Sequence, residues 1–181
     1  LYTKYSNTIK VAKDVIGIRE GYNTFGTMHI LNTQKGIFYI ADTLINRHPD
    51  QDVLVDIAKL SAGTVKFFNE EPVMAMLSYS NFGTDAQGSP VKVKNAVDAM
   101  QKEFPDLAID GEMQVNYALN KQLRDEKYPF SRLKGKDVNT LVFPNLISAN
   151  GAYKLLLALS READIIGPIQ MGLNKPIQFT N

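Results

Sequence analysis

The chain alternates between segments with helical spacing of apolar residues and short runs of strand-forming residues. Apolar residues recur every three or four positions in the first kind of segment, which predicts helices over 6–16, 50–68, 90–103, 113–119 and 147–159. The second kind predicts strands over 25–31, 37–41, 73–77, 107–109, 140–143 and 165–171.

Several local signals refine these elements. A five-residue loop ending in Gly36 joins the first two strands, which favours a hairpin. In the last helix we expect Leu155, Leu156 and Leu159 to pack inward. The stretch 120–138 is polar and contains Pro129 and Gly135, so we expect it to be a long loop.

Strands that alternate with helices are typical of an α/β fold. We predict one domain over 1–181, with a mostly parallel sheet covered by helices on both faces in three layers. The antiparallel hairpin strand is expected at the edge of the sheet. In such sheets ligands bind beyond the carboxyl ends of the strands. The segments that follow the predicted strands are 42–46, 78–89, 110–114, 144–150 and 170–175, and they are rich in polar residues and glycine.

Composition and charge exclude several classes of protein. The 181 residues include 20 basic and 19 acidic side chains, and this balance lacks the positive charge of a dedicated nucleic-acid binder. No apolar run approaches the roughly 20 residues that a membrane span needs. The absence of cysteine excludes thiol catalysis and fits a reducing, cytoplasmic location.

Three groups of residues are candidates for a functional site, and each also has a simpler structural explanation. The loop 78–84 leads into a helix and could hold an anion, although an ordinary connection explains it as well. Asp42, Asp110 and Glu112 could form an acid/base or metal cluster, or could cap helices or pair with lysines. His29 and His48 are poor candidates for zinc or for a catalytic triad, and we expect His48 on the surface.

A family resemblance goes further than these patterns. The blocks 73–80 (VMAMLSYS), 105–114 (PDLAIDGEMQ), 141–146 (LVFPNL), 150–154 (NGAYK) and 167–176 (GPIQMGLNKP) resemble the phosphate acetyl/butyryltransferase family. Three further blocks, 27–31, 40–43 and 128–135, resemble the C-terminal transacetylase-like domains of hybrid NADP-dependent malic enzymes. The resemblance implies the second of the family's two α/β subdomains, and therefore a fragment of a larger chain.

The resemblance also implies which chemistry to expect. Asn181 stands where the family has its catalytic serine, and the arginine and aspartate that follow there have no counterpart, so no catalytic residue and no metal ligand is expected. Malate conversion to pyruvate and CO2, with NADP and a divalent metal, would belong to a preceding malic enzyme domain. A fragment of a catalytic phosphate acetyltransferase and a pure oligomerisation module are the alternatives.

The function that the resemblance leaves for this chain is the binding of a ligand. The resemblance implies a regulatory domain that binds acetyl-CoA or a related acyl-CoA and forms a homodimer or larger oligomer. Lys154 and Ile166 match positions near the CoA nucleotide, and Ile166 replaces an aromatic residue there. The full set of candidate effector-binding residues is Ser78, Ser80, Asn145, Lys154, Ile166, Gly167 and Gly172.

Overall fold

The computed structural model describes residues 5–159 and 164–177. Its helices are α1 (Tyr5–Ile16), α2 (Gln51–Phe67), α3 (Ser89–Glu103), α4 (Val115–Leu119), α5 (Lys121–Lys127) and α6 (Leu146–Leu159). Its strands are β1 (Gly26–Thr33), β2 (Gly36–Ala41), β3 (Val73–Leu77), β4 (Ala108–Met113), β5 (Thr140–Val142) and β6 (Asp164–Met171).

The strands form one sheet in the order β4-β3-β5-β2-β1-β6. The neighbouring strands from β4 to β2 are paired in parallel. β1 is antiparallel to both of its neighbours, β2 and β6. Every strand except β1 therefore runs in the same direction, which confirms the predicted α/β fold with a mostly parallel sheet. The antiparallel strand lies one position inside the edge, because β6 covers it.

Two apolar cores lie on opposite faces of the sheet and give the three layers. On one face α2 and α3 pack against the strands, with Leu54, Ile57 and Val97 fully buried. On the other face α6 and the segment around α4 cover a second core, which includes Leu141 and Tyr153. Strand residues alternate between the two cores, as buried strands with helices on both sides require.

The stretch 120–138 is more ordered than its polar composition predicts. It contains α5, which Asn120 caps by accepting a 3.0 Å hydrogen bond from the Leu123 N–H. The fully buried Arg124 donates hydrogen bonds to the carbonyls of Ala118, Leu133 and Lys136. A buried guanidinium thus organises this segment in place of a row of apolar side chains. Because helices are predicted from the spacing of apolar residues, the sequence pattern does not reveal α5.

The prediction that the leucines of α6 pack inward is wrong. Leu155, Leu156 and Leu159 are 59%, 48% and 75% exposed, whereas Ala149 and Tyr153 are buried. Because α6 is apolar on nearly every side, its spacing does not reveal which side faces the sheet. Despite this apolar character, none of the helices within the described residues has the length and hydropathy to span a membrane.

Candidate functional site

The carboxyl ends of β2 to β6 lie along one side of the sheet, which we call the strand-end edge. Because β1 runs the opposite way, its first residues, Gly26 and Thr27, lie at this edge too. The expectation that the polar segments after the strands share one edge is confirmed. The edge is thus the place where an α/β sheet of this kind presents side chains to a ligand.

Asp42 is the centre of the hydrogen bonds at the end of β2. Its carboxylate is buried and accepts bonds from the N–H and hydroxyl of Thr27, at 3.0 and 2.7 Å. It also accepts the N–H groups of Leu44, Ile45 and Asn46 and the Asn46 side-chain amide. Asp42 therefore holds the 42–46 loop against β1, and both of its oxygens are occupied.

A chain of hydroxyl groups connects Asp42 with His29. The Thr27 hydroxyl donates to Asp42 and lies 3.1 Å from the Thr43 hydroxyl, which lies 2.7 Å from His29 Nδ1. Since the Thr27 proton points to the carboxylate, Thr43 donates to Thr27 and accepts from His29. This order places the proton of the neutral His29 ring on Nδ1 and leaves Nε2 as the acceptor.

His29 is a buried, uncharged side chain at neutral pH. Burial lowers its pKa to about 4, and the negative charge of Asp42 only partly opposes this effect. The ring stacks on Tyr153 of α6, with 4.4 Å between centroids and 16° between planes. Asn150 of α6 also donates to the Thr43 carbonyl at 3.2 Å. His29 and Thr43 thereby join α6 to the strand-end edge.

We expect the free energy of unfolding to decrease as the pH falls from about 6.5 to about 4. The unfolded chain binds the His29 proton with a pKa near 6.5, whereas the folded protein resists it until about pH 4. Urea unfolding across this range measures the slope. In His29→Asn, whose amide can still donate to Thr43, the slope should become shallower; an unchanged slope would assign it to other groups.

Glu112 plays a corresponding part at the end of β4. It is fully buried, and its Oε1 accepts the Gly83 N–H at 2.7 Å and the Ser80 hydroxyl at 3.1 Å. Its Oε2 has no hydrogen-bond partner among the described residues. Glu112 therefore fixes the loop between β3 and α3. As at Asp42, the peptide bond before Glu112 is cis.

The three predicted carboxylates serve three separate loops rather than one cluster. Asp110 accepts the Ser131 hydroxyl and the Arg132 N–H, both at 2.7 Å, and holds the segment after α5. Among residues 5–159 and 164–177, no group of three potential ligand side chains could hold a metal ion. Each carboxylate therefore holds loop N–H and hydroxyl groups, a role that differs from the helix caps and lysine pairs expected as the simpler explanation.

Three of the candidate effector-binding residues lie at the strand-end edge. The Ser80 hydroxyl is buried and accepts the Asp85 N–H at 3.0 Å, in addition to donating to Glu112. Ser78 is half-buried at the end of β3. Asn145 caps α6, since its side-chain oxygen accepts the Ser148 N–H at 2.9 Å. Ser78 and Asn145 are therefore the two of these that are not fully buried.

The other four candidates lie on α6, on β6 and directly after β6. Lys154 is exposed on α6, about 12 Å along the helix from its first residue. Ile166 is exposed in the middle of β6, beside Gly167, where a Cβ atom would come within 3.0 Å of His29 Cδ2. Gly172 is buried, and a Cβ there would lie 2.7 Å from Leu60. Lys154 and Ile166 are therefore open to solvent, while Gly172 meets a packing requirement.

Sequence reasoning missed Lys92 as a residue of the strand-end edge. Its ammonium donates to the carbonyls of Pro49 and Pro144, at 2.6 and 3.4 Å, and so bridges the loops after β2 and β5. Partial burial lowers its pKa, and the charge of Asp50 opposes this. The one sequence signal for this role is that Lys92 lies in the first turn of α3, and many exposed helical lysines share that position.

A cavity of about 760 Å³ lies at the opposite end of the sheet, between the last turns of α2 and α3. At its wall Lys59 forms a 2.7 Å ion pair with Glu103 and lies over the Phe104 ring. We regard the strand-end edge as the candidate site, because the buried polar network is there and because ligands of parallel sheets bind beyond the carboxyl ends.

A comparison of the whole sequence with known families identifies the family to which this fold belongs. The model of the phosphate acetyl/butaryl transferase family matches residues 1–181. The chain belongs to this family, which confirms the resemblance inferred from the sequence blocks.

Two kinds of relative share the domain. The chain is 40% identical to the NADP-dependent malic enzyme of Escherichia coli K12 over 173 residues, which are 96% of this chain and 23% of that enzyme. It is 44% identical to the phosphate acetyltransferase of Clostridium acetobutylicum over 146 residues, which are 80% of this chain and 43% of that enzyme. A phosphotransacetylase structure from Streptococcus pyogenes superposes with a TM-score of 0.88 at 34% identity, covering 97% of this chain and 53% of that one. The chain thus spans about a quarter to a half of these relatives.

Proposed function

We propose that this chain is a regulatory, acyl-CoA-binding domain of an NADP-dependent malic enzyme, with acetyl-CoA as its effector. The observation that carries the proposal is that the predicted acid/base side chains at the strand-end edge hold loops in place. Asp42 and Asp110 are saturated with hydrogen bonds, and His29 is buried and uncharged. Glu112 also holds a loop through its Oε1, so an edge of this kind provides a shaped surface for binding.

Transfer of an acyl group from CoA to phosphate makes two demands on a site. It needs a base for the thiol, and it needs positive charge where negative charge develops. Lys92, the cation that reaches across this edge, is bonded to two backbone carbonyls. The identity of 40% with a malic enzyme over nearly the whole chain supports the same proposal. Malate oxidation, NADP and the divalent metal then belong to another part of the protein.

Acyl-CoA is proposed to lie along the strand-end edge, near Ser78 and the start of α6, with Lys154 close to its phosphates. The carbonyl and amide groups of the ligand would meet the polar loops, and the lysine would meet negative charge. An exposed lysine–phosphate contact contributes about 1 kcal/mol, which is a few-fold in affinity.

We therefore expect Lys154→Ala to raise the acetyl-CoA concentration that inhibits the full-length protein by about three- to fivefold. Malate and NADP kinetics without effector should stay unchanged, because coupling acts only through the bound ligand. Calorimetric titration of acetyl-CoA should give the same ratio of affinities. Lys13→Ala on α1 is the matched control and should behave as the wild type. Equal inhibition of the wild type and Lys154→Ala would show that Lys154 is not a contact.

A catalytic phosphate acetyltransferase is the second candidate, and the 44% identity with the clostridial enzyme favours it. The two proposals differ in a single assay, the formation of acetyl phosphate from acetyl-CoA and phosphate. The regulatory proposal predicts no turnover by this chain. Turnover at rates typical of phosphate acetyltransferases would establish the second candidate instead.

We also propose that the chain forms a homodimer through the exposed apolar side of α6. Ile147, Leu155 and Leu159 are more than half exposed there. Patches of this kind mark protein contacts in soluble proteins. Sedimentation at tens of micromolar should show a dimer, and Leu155→Asp should shift it to a monomer. Val15→Asp on α1 is the control; a wild-type monomer would contradict the proposal.

A further inference from the structure

Four aromatic rings cluster beside the strand-end edge, and we call them the aromatic platform. They are Phe82, Tyr117, Tyr128 and Phe130. The Phe82 ring lies 4.8 Å from Tyr128 and 5.1 Å from Phe130, and Tyr117 lies 5.1 Å from Tyr128, measured between centroids. The contacts with Phe130 and Tyr117 are edge-on, which is a favourable geometry for aromatic pairs. Phe130 is nevertheless 69% exposed, so the platform leaves the outermost ring open.

Two buried carboxylates of β4 fix the backbone on which these rings are mounted. The Phe82 N–H donates to the Glu112 carbonyl at 2.8 Å, and the next N–H, of Gly83, donates to the Glu112 carboxylate. Phe82 has a φ of 48°, in the left-handed region that costs a non-glycine residue free energy. On the other side Asp110 binds the Ser131 hydroxyl, directly after Phe130. The backbone at Phe82 and beside Phe130 is therefore held by hydrogen bonds to β4.

A cation lies on the same turn as the exposed ring. Arg132 follows Phe130 by two residues, and its backbone N–H is fixed by Asp110 at 2.7 Å. Its side chain is exposed and takes part in no ion pair among the described residues. A guanidinium group binds phosphate through paired hydrogen bonds, and a flat exposed ring stacks on a planar base.

We propose that the aromatic platform and Arg132 bind the nucleotide portion of acyl-CoA, with the base on Phe130 and a phosphate on Arg132. This inference rests on the proposed function, since it names a subsite for the same ligand. Phe82 and Tyr153 pack against the same core, so the platform lies on the face of the sheet that α6 covers. Ile166, where the resemblance places an aromatic contact, is aliphatic and pairs with Ile30 of the other core, so the platform is a separate aromatic surface.

Removal of the exposed ring tests the proposal. Phe130→Ala should weaken acetyl-CoA binding by about 5- to 100-fold in calorimetric titration, as expected for the loss of a base-stacking ring. Phe130→Tyr should restore most of the affinity. Arg132→Ala should weaken binding a few-fold and reduce its dependence on salt. S-acetylpantetheine, which carries the thioester but no nucleotide, should bind the wild type and Phe130→Ala equally.

Phe67→Ala, at another exposed phenylalanine on α2, is the matched control and should bind as the wild type does. Thermal unfolding should show that each variant is folded. Equal acetyl-CoA affinity of Phe130→Ala and the wild type overturns the platform and leaves the proposed function intact. A changed sedimentation coefficient with unchanged affinity assigns the platform to a protein contact and also overturns it. Absence of acetyl-CoA binding to the wild type overturns both proposals.

Discussion

Asp42→Ala should lower the free energy of unfolding by about 3–5 kcal/mol, because buried donors lose their shared acceptor. The carboxylate accepts bonds from Thr27, Leu44, Ile45 and Asn46, and an alanine leaves their N–H and O–H groups without a partner. The loop 42–46 should then detach from β1. Urea unfolding measures the loss, and amide hydrogen exchange locates it.

Two further substitutions bracket this effect. Asp42→Asn keeps the shape of the side chain but turns one acceptor into a donor, so we expect a smaller loss of about 2 kcal/mol. Asp98→Ala removes an exposed carboxylate paired with Lys94 and should change stability by less than about 0.5 kcal/mol. If Asp42→Ala is as stable as Asp98→Ala, the hydrogen bonds at Asp42 contribute nothing to the fold.

Gly111→Ala should be comparably severe, with a loss of about 3–5 kcal/mol or failure to fold. Its φ is 144°, where side chains are rarely tolerated, and a Cβ would lie 2.5 Å from the Met76 carbonyl oxygen on β3. The neighbouring strand cannot move away without breaking the β3–β4 ladder. Chemical denaturation of the variant measures the loss.

Two other glycines separate the effect of the backbone conformation from the effect of the contact with Met76. Gly36 has a φ of 119° but open space around a Cβ. Gly36→Ala should therefore lower the free energy of unfolding only by the strain of this backbone conformation, about 1–2 kcal/mol. Gly63 lies within α2, also with open space, and Gly63→Ala should stabilise the chain by about 1 kcal/mol. Equal losses at Gly111 and Gly36 would show that the contact with Met76 is unimportant.

The sequence predicts most of this fold because its strands and helices alternate in separate, well-punctuated segments. The run Val73–Leu77 is β3, and Pro90 stands in the first turn of α3, as its chemistry indicates. Ser89 suggests an N-cap by its residue type, but Gly88 is the N-cap residue and no side chain caps this helix. β4 extends through Asp110, Gly111 and Glu112, which are not typical strand-forming residues, and the carboxylates of Asp110 and Glu112 bind neighbouring loops.

The candidate site was less accessible to sequence reasoning. The sequence offers Asp42, Asp110 and Glu112 as a possible acid/base or metal cluster, but the spacing of carboxylates cannot show whether their partners are ligands or backbone groups. The aromatic platform joins residues from two loops far apart in the chain, Phe82 and Phe130, and only the fold brings them within 5.1 Å. His48 lies on the surface as expected.

The position of β1 between β2 and β6 affects the order in which the protein assembles during synthesis. β1 pairs with β2 as soon as the hairpin has left the ribosome, but its other side stays open until β6, near the far end of the described chain, is made. An open strand edge invites pairing with other chains. Nascent chains that stall before β6 should therefore be the species most prone to aggregation and to capture by chaperones.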